Sequence, residues 1–190
     1  MTALTDEELV FRHRAGDLDA FPVLVSRYVN PLYRFLLHVC GDPEQAKDLT
    51  QVTCLKAWKH IRTFQVHRCF KTWVFTIARN TAMDFLKKKK AIPFSHMNED
   101  AIEGEPTFEE NIEDANPLPS ILLERAESAL HVDRALQRIS EHHRTVLLLH
   151  EGENMTFQEI AETLCEPLNT IKSRYRRALI LLRHLLEEEP

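Results

Sequence analysis

The sequence predicts an all-α protein built from two small helical domains joined by a flexible acidic linker, and three observations predict it. Apolar residues recur at helical spacing through most of the chain, with no alternating strand pattern in competition. Two capping boxes, Thr5-x-x-Glu8 and Thr156-x-x-Glu159, stand at the head of two such periodic runs, far apart in sequence. Between residues 91 and 119 the periodicity fails, Pro93, Pro106, Pro117 and Pro119 punctuate the chain, and acidic residues dominate, as in a flexible tether. A length of 190 residues suits one ordinary domain or two small ones. The boundaries that follow are a first domain at 1–92, a linker at 93–118 and a second domain at 119–190.

Thr5 opens the first helix and Gly16 closes it. A second helix spans about 19–40, with Pro31 expected to kink or interrupt it, because proline lacks a donor and crowds the preceding turn. Gly41-Asp42-Pro43 stops that helix and starts a third, with Asp42 as cap and Pro43 at the first helical position. The third helix runs to about residue 62. A loop at 63–69 leads to a fourth helix that ends in Lys87-Lys88-Lys89-Lys90. Periodicity resumes at about 120–139, and a short helix at about 141–150 ends at Gly152. A helix at 156–164 follows, then the break Cys165-Glu166-Pro167, then a last helix to about residue 187.

Composition excludes several classes. No stretch approaches the roughly 20 apolar residues of a membrane span, and the N-terminus lacks a basic flank and an apolar signal core; the expectation is a cytoplasmic protein without membrane insertion. Cys40, Cys54, Cys69 and Cys165 form no C-x-x-C pair, which argues against a zinc cluster. The four glycines fall at helix breaks or in the tether, and no phosphate cradle, G-x-S-x-G or H-E-x-x-H exists. No catalytic residue, cofactor or metal is expected. The net charge of −5 conceals segregation. Residues 1–90 hold 15 basic against 9 acidic side chains, residues 91–130 hold one against 10, and residues 170–184 hold five basic and no acidic ones. Blocks of opposite sign point to a polyanion partner more than the overall charge does.

Two short helices joined by a tight turn, at 156–164 and from 168 onward, follow the plan of a helix-turn-helix, whose second helix enters the major groove. At about 100° per residue, Ile171, Tyr175, Ala178, Leu182 and Leu185 share a core face. Thr170, Lys172, Ser173, Arg176 and Arg177 lie opposite, and Arg174 at the flank can reach a phosphate. Arg can bond bidentately to guanine, Ser and Thr to several base groups, and Lys can neutralise phosphate. The alternative is a solvated basic face on a bundle helix; the coincidence of turn, capping box and acid-free basic run favours DNA. On the fourth helix, Val74, Ala78, Ala82, Phe85 and Leu86 form the apolar face, while Trp73, Thr76, Asn80, Asp84 and Lys87 lie opposite. Trp73 there either anchors a partner or stacks on an unpaired base, or else covers the third helix. The lysine run attracts phosphate or is a solvated helix end.

These residues resemble the extracytoplasmic-function group of bacterial sigma factors in the sigma-70 family. Asp42-Pro43-Glu44-Gln45-Ala46-Lys47-Asp48-Leu49-Thr50-Gln51, with Ala57-Trp58, resembles region 2.2. Residues 70–90 resemble regions 2.3 and 2.4, with Ile77-Ala78-Arg79-Asn80 the most telling piece. Residues 135–149 and 156–186 resemble region 4, through Pro167-Leu168-Asn169-Thr170-Ile171-Lys172-Ser173-Arg174. The resemblance implies a transcription initiation factor that directs RNA polymerase core to promoter DNA and assists strand opening. It implies docking on the clamp coiled coil of the largest subunit through Asp48, Gln51, Leu55 and Trp58. It implies reading of the −10 element by Gln65, His67, Arg68, Trp73, Thr76, Asn80, Lys87 and Lys88, and of the −35 element by Thr170, Lys172, Ser173, Arg174, Arg176 and Arg177. The acidic tether would thread toward the active-site and RNA-exit channels, and an anti-sigma factor would hold the chain inactive. The family often has an acidic residue where Val52 stands, and glycine near Cys165 and Asn169. Two rival readings are a stand-alone helix-turn-helix regulator and a helical enzyme or metal-binding protein built on His60, His67 and Cys69.

Overall fold

The computed structural model describes residues 4–65, 68–91 and 129–188, and all regular structure among them is helical. The predicted tether, 93–118, and the start of the helix predicted from residue 120 lie outside the described residues. Thr5 caps α1 (Asp6–Arg14): its hydroxyl accepts from the Glu8 N–H while the Glu8 carboxylate accepts from the Thr5 N–H at 2.7 Å. Gly16 follows at φ +103°, a left-handed turn that only glycine adopts without cost. Next comes α2 (Ala20–Cys40), helical without interruption through Pro31. The predicted break is absent because both sides of the proline are nailed down, by Leu24 before it and by Leu32, Phe35, Leu36 and Val39 after it, all buried. Several such side chains at about 1.5–3 kcal/mol each outweigh the roughly 3 kcal/mol that an internal proline costs.

Gly41 ends α2 in the left-handed conformation, and the Asp42 side chain accepts from the Glu44 and Gln45 N–H groups to open α3 (Pro43–His60). A single 3-10 turn, Ile61–Thr63, leads into the loop before α4 (Phe70–Ala91). Arg14 of α1 pins that loop, donating to the Ile61 carbonyl at 2.8 Å and to the Phe64 carbonyl. Phe64 and Phe70 are buried at its two ends, ring edge to ring face.

The second half begins with α5 (Ala129–Arg138) and α6 (Glu141–Leu147), which runs on as a π-helical turn, Leu148–Gly152. The second capping box, Thr156 with Glu159, opens α7 (Phe157–Leu164), and α8 (Leu168–Glu188) closes the fold. The two halves pack on one another, and their buried apolar side chains form a single cluster. At the seam Arg144 of α6 is buried, its guanidinium spread over the exposed carbonyl ends of two helices. It donates to the carbonyls of Leu136 (2.7 Å), Gln137 (2.8 Å) and Ile139 (3.0 Å) at the end of α5. It also donates to those of His38 and Val39, both at 3.2 Å, at the end of α2. A helix leaves its last carbonyls without partners, and one cationic fork here serves both ends. Gln137 donates to the same His38 carbonyl at 2.9 Å, and His38 meets Asp133 at 2.9 Å. Burial pulls the Arg144 guanidinium below its ordinary pKa.

Candidate nucleic-acid interface

The turn between α7 and α8 is fixed by backbone bonds. Cys165 takes the left-handed conformation, φ +54°, which glycine adopts most readily, and the Glu166 N–H donates to the Ala161 carbonyl at 3.0 Å. Pro167 then starts α8, its carbonyl accepting from the Ile171 N–H. The inward face of α8 is the one its periodicity predicts: Ile171, Tyr175, Ala178 and Leu182 are buried and Leu185 half-buried. Tyr175 braces the motif, its ring edge-on to His150 and Phe157 and its hydroxyl donating to Glu151. Burial and that carboxylate raise the Tyr175 pKa, so the phenol stays a donor.

On the opposite face Lys172, Ser173, Arg176 and Arg177 are exposed, and Thr170 is half-buried. The Ser173 hydroxyl donates to the Thr170 carbonyl at 3.1 Å, so it meets any ligand as an acceptor or after turning. Arg174 is half-buried and forked by Glu166, with Nη1–Oε1 at 3.0 Å and Nη2–Oε2 at 2.8 Å. Sequence reasoning missed Glu166: the pair spans the turn, where no helical period connects the two positions.

Of the α4 residues, Asn80, Lys87 and Lys88 are exposed, and Asn80 accepts from Arg79 at 3.1 Å. Trp73 is half-buried in an aromatic nest, its ring 5.1 Å from Phe64 and 5.4 Å from Phe70, so it covers the loop root. The Thr76 hydroxyl donates to the Thr72 carbonyl at 2.8 Å, with the Thr163 carbonyl of α7 at 3.4 Å. Buried Thr72, Phe75 and Thr81 widen the inward face of α4 beyond its predicted apolar stripe. The reason is tertiary: α4 is covered on a second side, where Thr76 approaches α7 and the Lys71 ammonium reaches the Glu153 carbonyl. Gln65 and Arg68 are exposed on the loop, and His67 lies outside the described residues.

A third surface mixes polar and large apolar side chains. On α3, Asp48, Gln51, Leu55 and Trp58 recur three and four residues apart and are all exposed, Leu55 at 57% and Trp58 at 54%, with Val52 beside them. Leu55, Trp58 and Val52 thus present large apolar side chains to water on one helix. Among the described residues no three His, Cys, Asp or Glu side chains gather as a metal-holding group. Burial raises the Cys40 and Cys54 thiol pKa values, away from the thiolate a metal needs. No helix among the described residues is long and apolar enough to cross a membrane.

Comparison with known proteins matches two stretches of the chain to two sequence families. Sigma-70 region 2 matches residues 24–92, and Sigma-70, region 4 matches residues 135–184. The ECF RNA polymerase sigma factor SigW of Bacillus subtilis is 27% identical over 92% of this chain and 93% of its own length. The RNA polymerase sigma-H factor of Pseudomonas aeruginosa is 31% identical over 94% of this chain and 92% of its own. Among solved structures, the sigma factor RpoE of Bartonella quintana, in complex with the anti-sigma factor NepR, superposes with a TM-score of 0.68 at 22% identity. That superposition covers 91% of this chain and all of that one. With both region matches in order along one chain and full-length relatives on either side of 30% identity, the chain belongs to the extracytoplasmic-function group of the sigma-70 family.

Proposed function

We propose that this sigma factor directs RNA polymerase to its promoters through three surfaces with separate tasks. The α3 stripe, Asp48, Gln51, Leu55 and Trp58, docks on the clamp coiled coil of the largest core subunit. The loop and α4, through Gln65, His67, Arg68, Trp73, Thr76, Asn80, Lys87 and Lys88, engage the −10 element and hold an unpaired base of the opened strand. The exposed face of α8, through Thr170, Lys172, Ser173, Arg174, Arg176 and Arg177, reads the −35 element as duplex. The exposed Leu55–Trp58 stripe is the observation that carries the reading: a stand-alone regulator needs the basic face of α8 but has no use for a second, apolar docking surface in the other half.

The two elements lie about 25 base pairs apart, about 85 Å along the duplex at 3.4 Å per pair. A compact chain of this length has a radius of gyration of about 16 Å. The packed arrangement therefore touches one element at a time, and the halves, 1–92 and 119–190, separate along the acidic linker 93–118 when polymerase is bound. Bases captured by the first half offset an unstacking cost of a few kcal/mol. The Bartonella relative is held by an anti-sigma factor, and a protein of that kind is the expected regulator here, acting in the cytoplasm where polymerase works. Run-off transcription with purified core polymerase tests the reading. Wild-type protein should give promoter-dependent transcripts, and Leu55→Glu should abolish core binding while leaving the protein folded. Transcription from Leu55→Glu at the wild-type level refutes the docking assignment.

A further inference from the structure

The geometry points to Glu166 as a positioning residue for promoter reading, acting through Arg174. The inference deepens the assignment of α8 to the −35 element and rests on it. Glu166 sits in the turn between α7 and α8, and its backbone is held on both sides: its own N–H is bonded to the Ala161 carbonyl, left-handed Cys165 precedes it and Pro167 follows. From that fixed point its carboxylate accepts a hydrogen bond from Arg174 Nη1 at 3.0 Å and meets Nη2 as an ion-pair contact at 2.8 Å. The side chains are only 22% and 19% exposed, so the pair is partly withdrawn from water, unlike most surface ion pairs. Two nitrogens of one guanidinium held against the two oxygens of one carboxylate restrict its orientation as well as its position.

Arg174 stands one helical turn beyond Thr170 and one before Arg177, at the edge of the exposed basic face. Arg79 of α4, Glu141, His142, Thr145 and Leu164 line the same crevice, and the ion pair Arg174 makes is with Glu166. Without Glu166 the guanidinium is a mobile cation that meets any phosphate within reach. Held by Glu166, its charge is offset and its free N–H groups point in one direction, so general attraction is exchanged for discrimination. A purely structural role is poorly served by this arrangement. The turn is already closed by backbone bonds, and an acid favouring the start of α8 needs no cationic partner two turns further on.

The test uses holoenzyme reconstituted with core polymerase and a duplex promoter library randomised across the −35 element. Glu166→Gln should lose about tenfold discrimination at one or two adjacent base pairs. Its affinity for unrelated duplex should rise, with a salt dependence steeper by about 0.9 in log–log slope. Neither change should occur when Glu166→Gln is added to Arg174→Ala. Arg174→Lys, which leaves the turn untouched, should lose the same discrimination and serves where Glu166→Gln folds poorly. The inference is overturned if Glu166→Gln selects the wild-type sequences with the wild-type slope, or if its effect survives in the Arg174→Ala background. A wild-type holoenzyme that selects no −35 sequence overturns the assignment of α8 itself, and this inference with it.

Discussion

Truncating Arg144 to alanine removes a side chain that serves two helix ends at once. Its six hydrogen bonds divide unequally: four go to Leu136, Gln137 (carbonyl and Oε1) and Ile139 in its own half, and two to His38 and Val39 in the other. At about 1.5–3 kcal/mol for each bond to a charged group the naive sum exceeds the stability of most domains. Two effects reduce it. Water enters the space the side chain leaves and solvates part of the carbonyls, and the buried guanidinium itself costs several kcal/mol to desolvate. A loss of about 3–5 kcal/mol remains, the range found when one partner of a buried charged network is removed. For a chain of this length that is a fall in Tm of about 6–20 °C. Denaturant unfolding followed by far-ultraviolet circular dichroism measures it. Both tryptophans, Trp58 and Trp73, lie in the first half, so fluorescence reports that half alone. In Arg144→Ala the fluorescence midpoint should fall less than the dichroism midpoint, because two of the six bonds reach that half. A destabilisation below about 1 kcal/mol would contradict the role drawn for the buried fork, and equal shifts of the two probes would contradict its unequal division.

Cys165→Gly should stabilise the protein by about 1 kcal/mol, since glycine removes the left-handed penalty at φ +54°; thermal unfolding should rise by about 2–4 °C. Burial raises the Glu153 carboxyl pKa, an effect partly offset by Lys71 and Arg34. A raised carboxylate contributes stability below its unfolded value near 4.5 and loses it as pH climbs through the folded value. Glu153→Gln should therefore be more stable than wild type at neutral pH and show a flatter pH dependence, checked by denaturant midpoints across that span. Lys172→Ala should weaken promoter binding by holoenzyme evenly across sequences and reduce the salt slope by about one, measured by titration at several salt concentrations.

Local chemistry made most of the fold legible. Thr5 with Glu8, Asp42 with Pro43, and Thr156 with Glu159 each declare a helix start within four residues, and all three occur where they were predicted. The inward face of α8 follows from its period alone. What stayed hidden depends on neighbours remote in sequence. Pro31 lies inside a continuous helix because burial on either side outweighs its local penalty. Thr72 and Thr81 are buried, although threonines on a helix read as surface. Arg144 looks like any other arginine until the ends of α2 and α5 are placed beside it, and Glu166 like any turn acid until Arg174 folds back onto it. For the interface, the basic face of α8 was readable from charge and period, whereas the surroundings of Trp73 were not, since they come from Phe64 across a loop.

The loop between α3 and α4 hangs from two buried phenylalanines, Phe64 and Phe70, with Tyr28 and Trp73 packed against the second. Gln65, Arg68 and Cys69 between those anchors are all exposed. Stability is thus invested in the hinges of the segment and not in its contents. Such a socket accepts interchangeable inserts, so on the proposed reading of the −10 element promoter preference in the first half can be rewritten by swapping a handful of residues while the helices that hold them keep their packing.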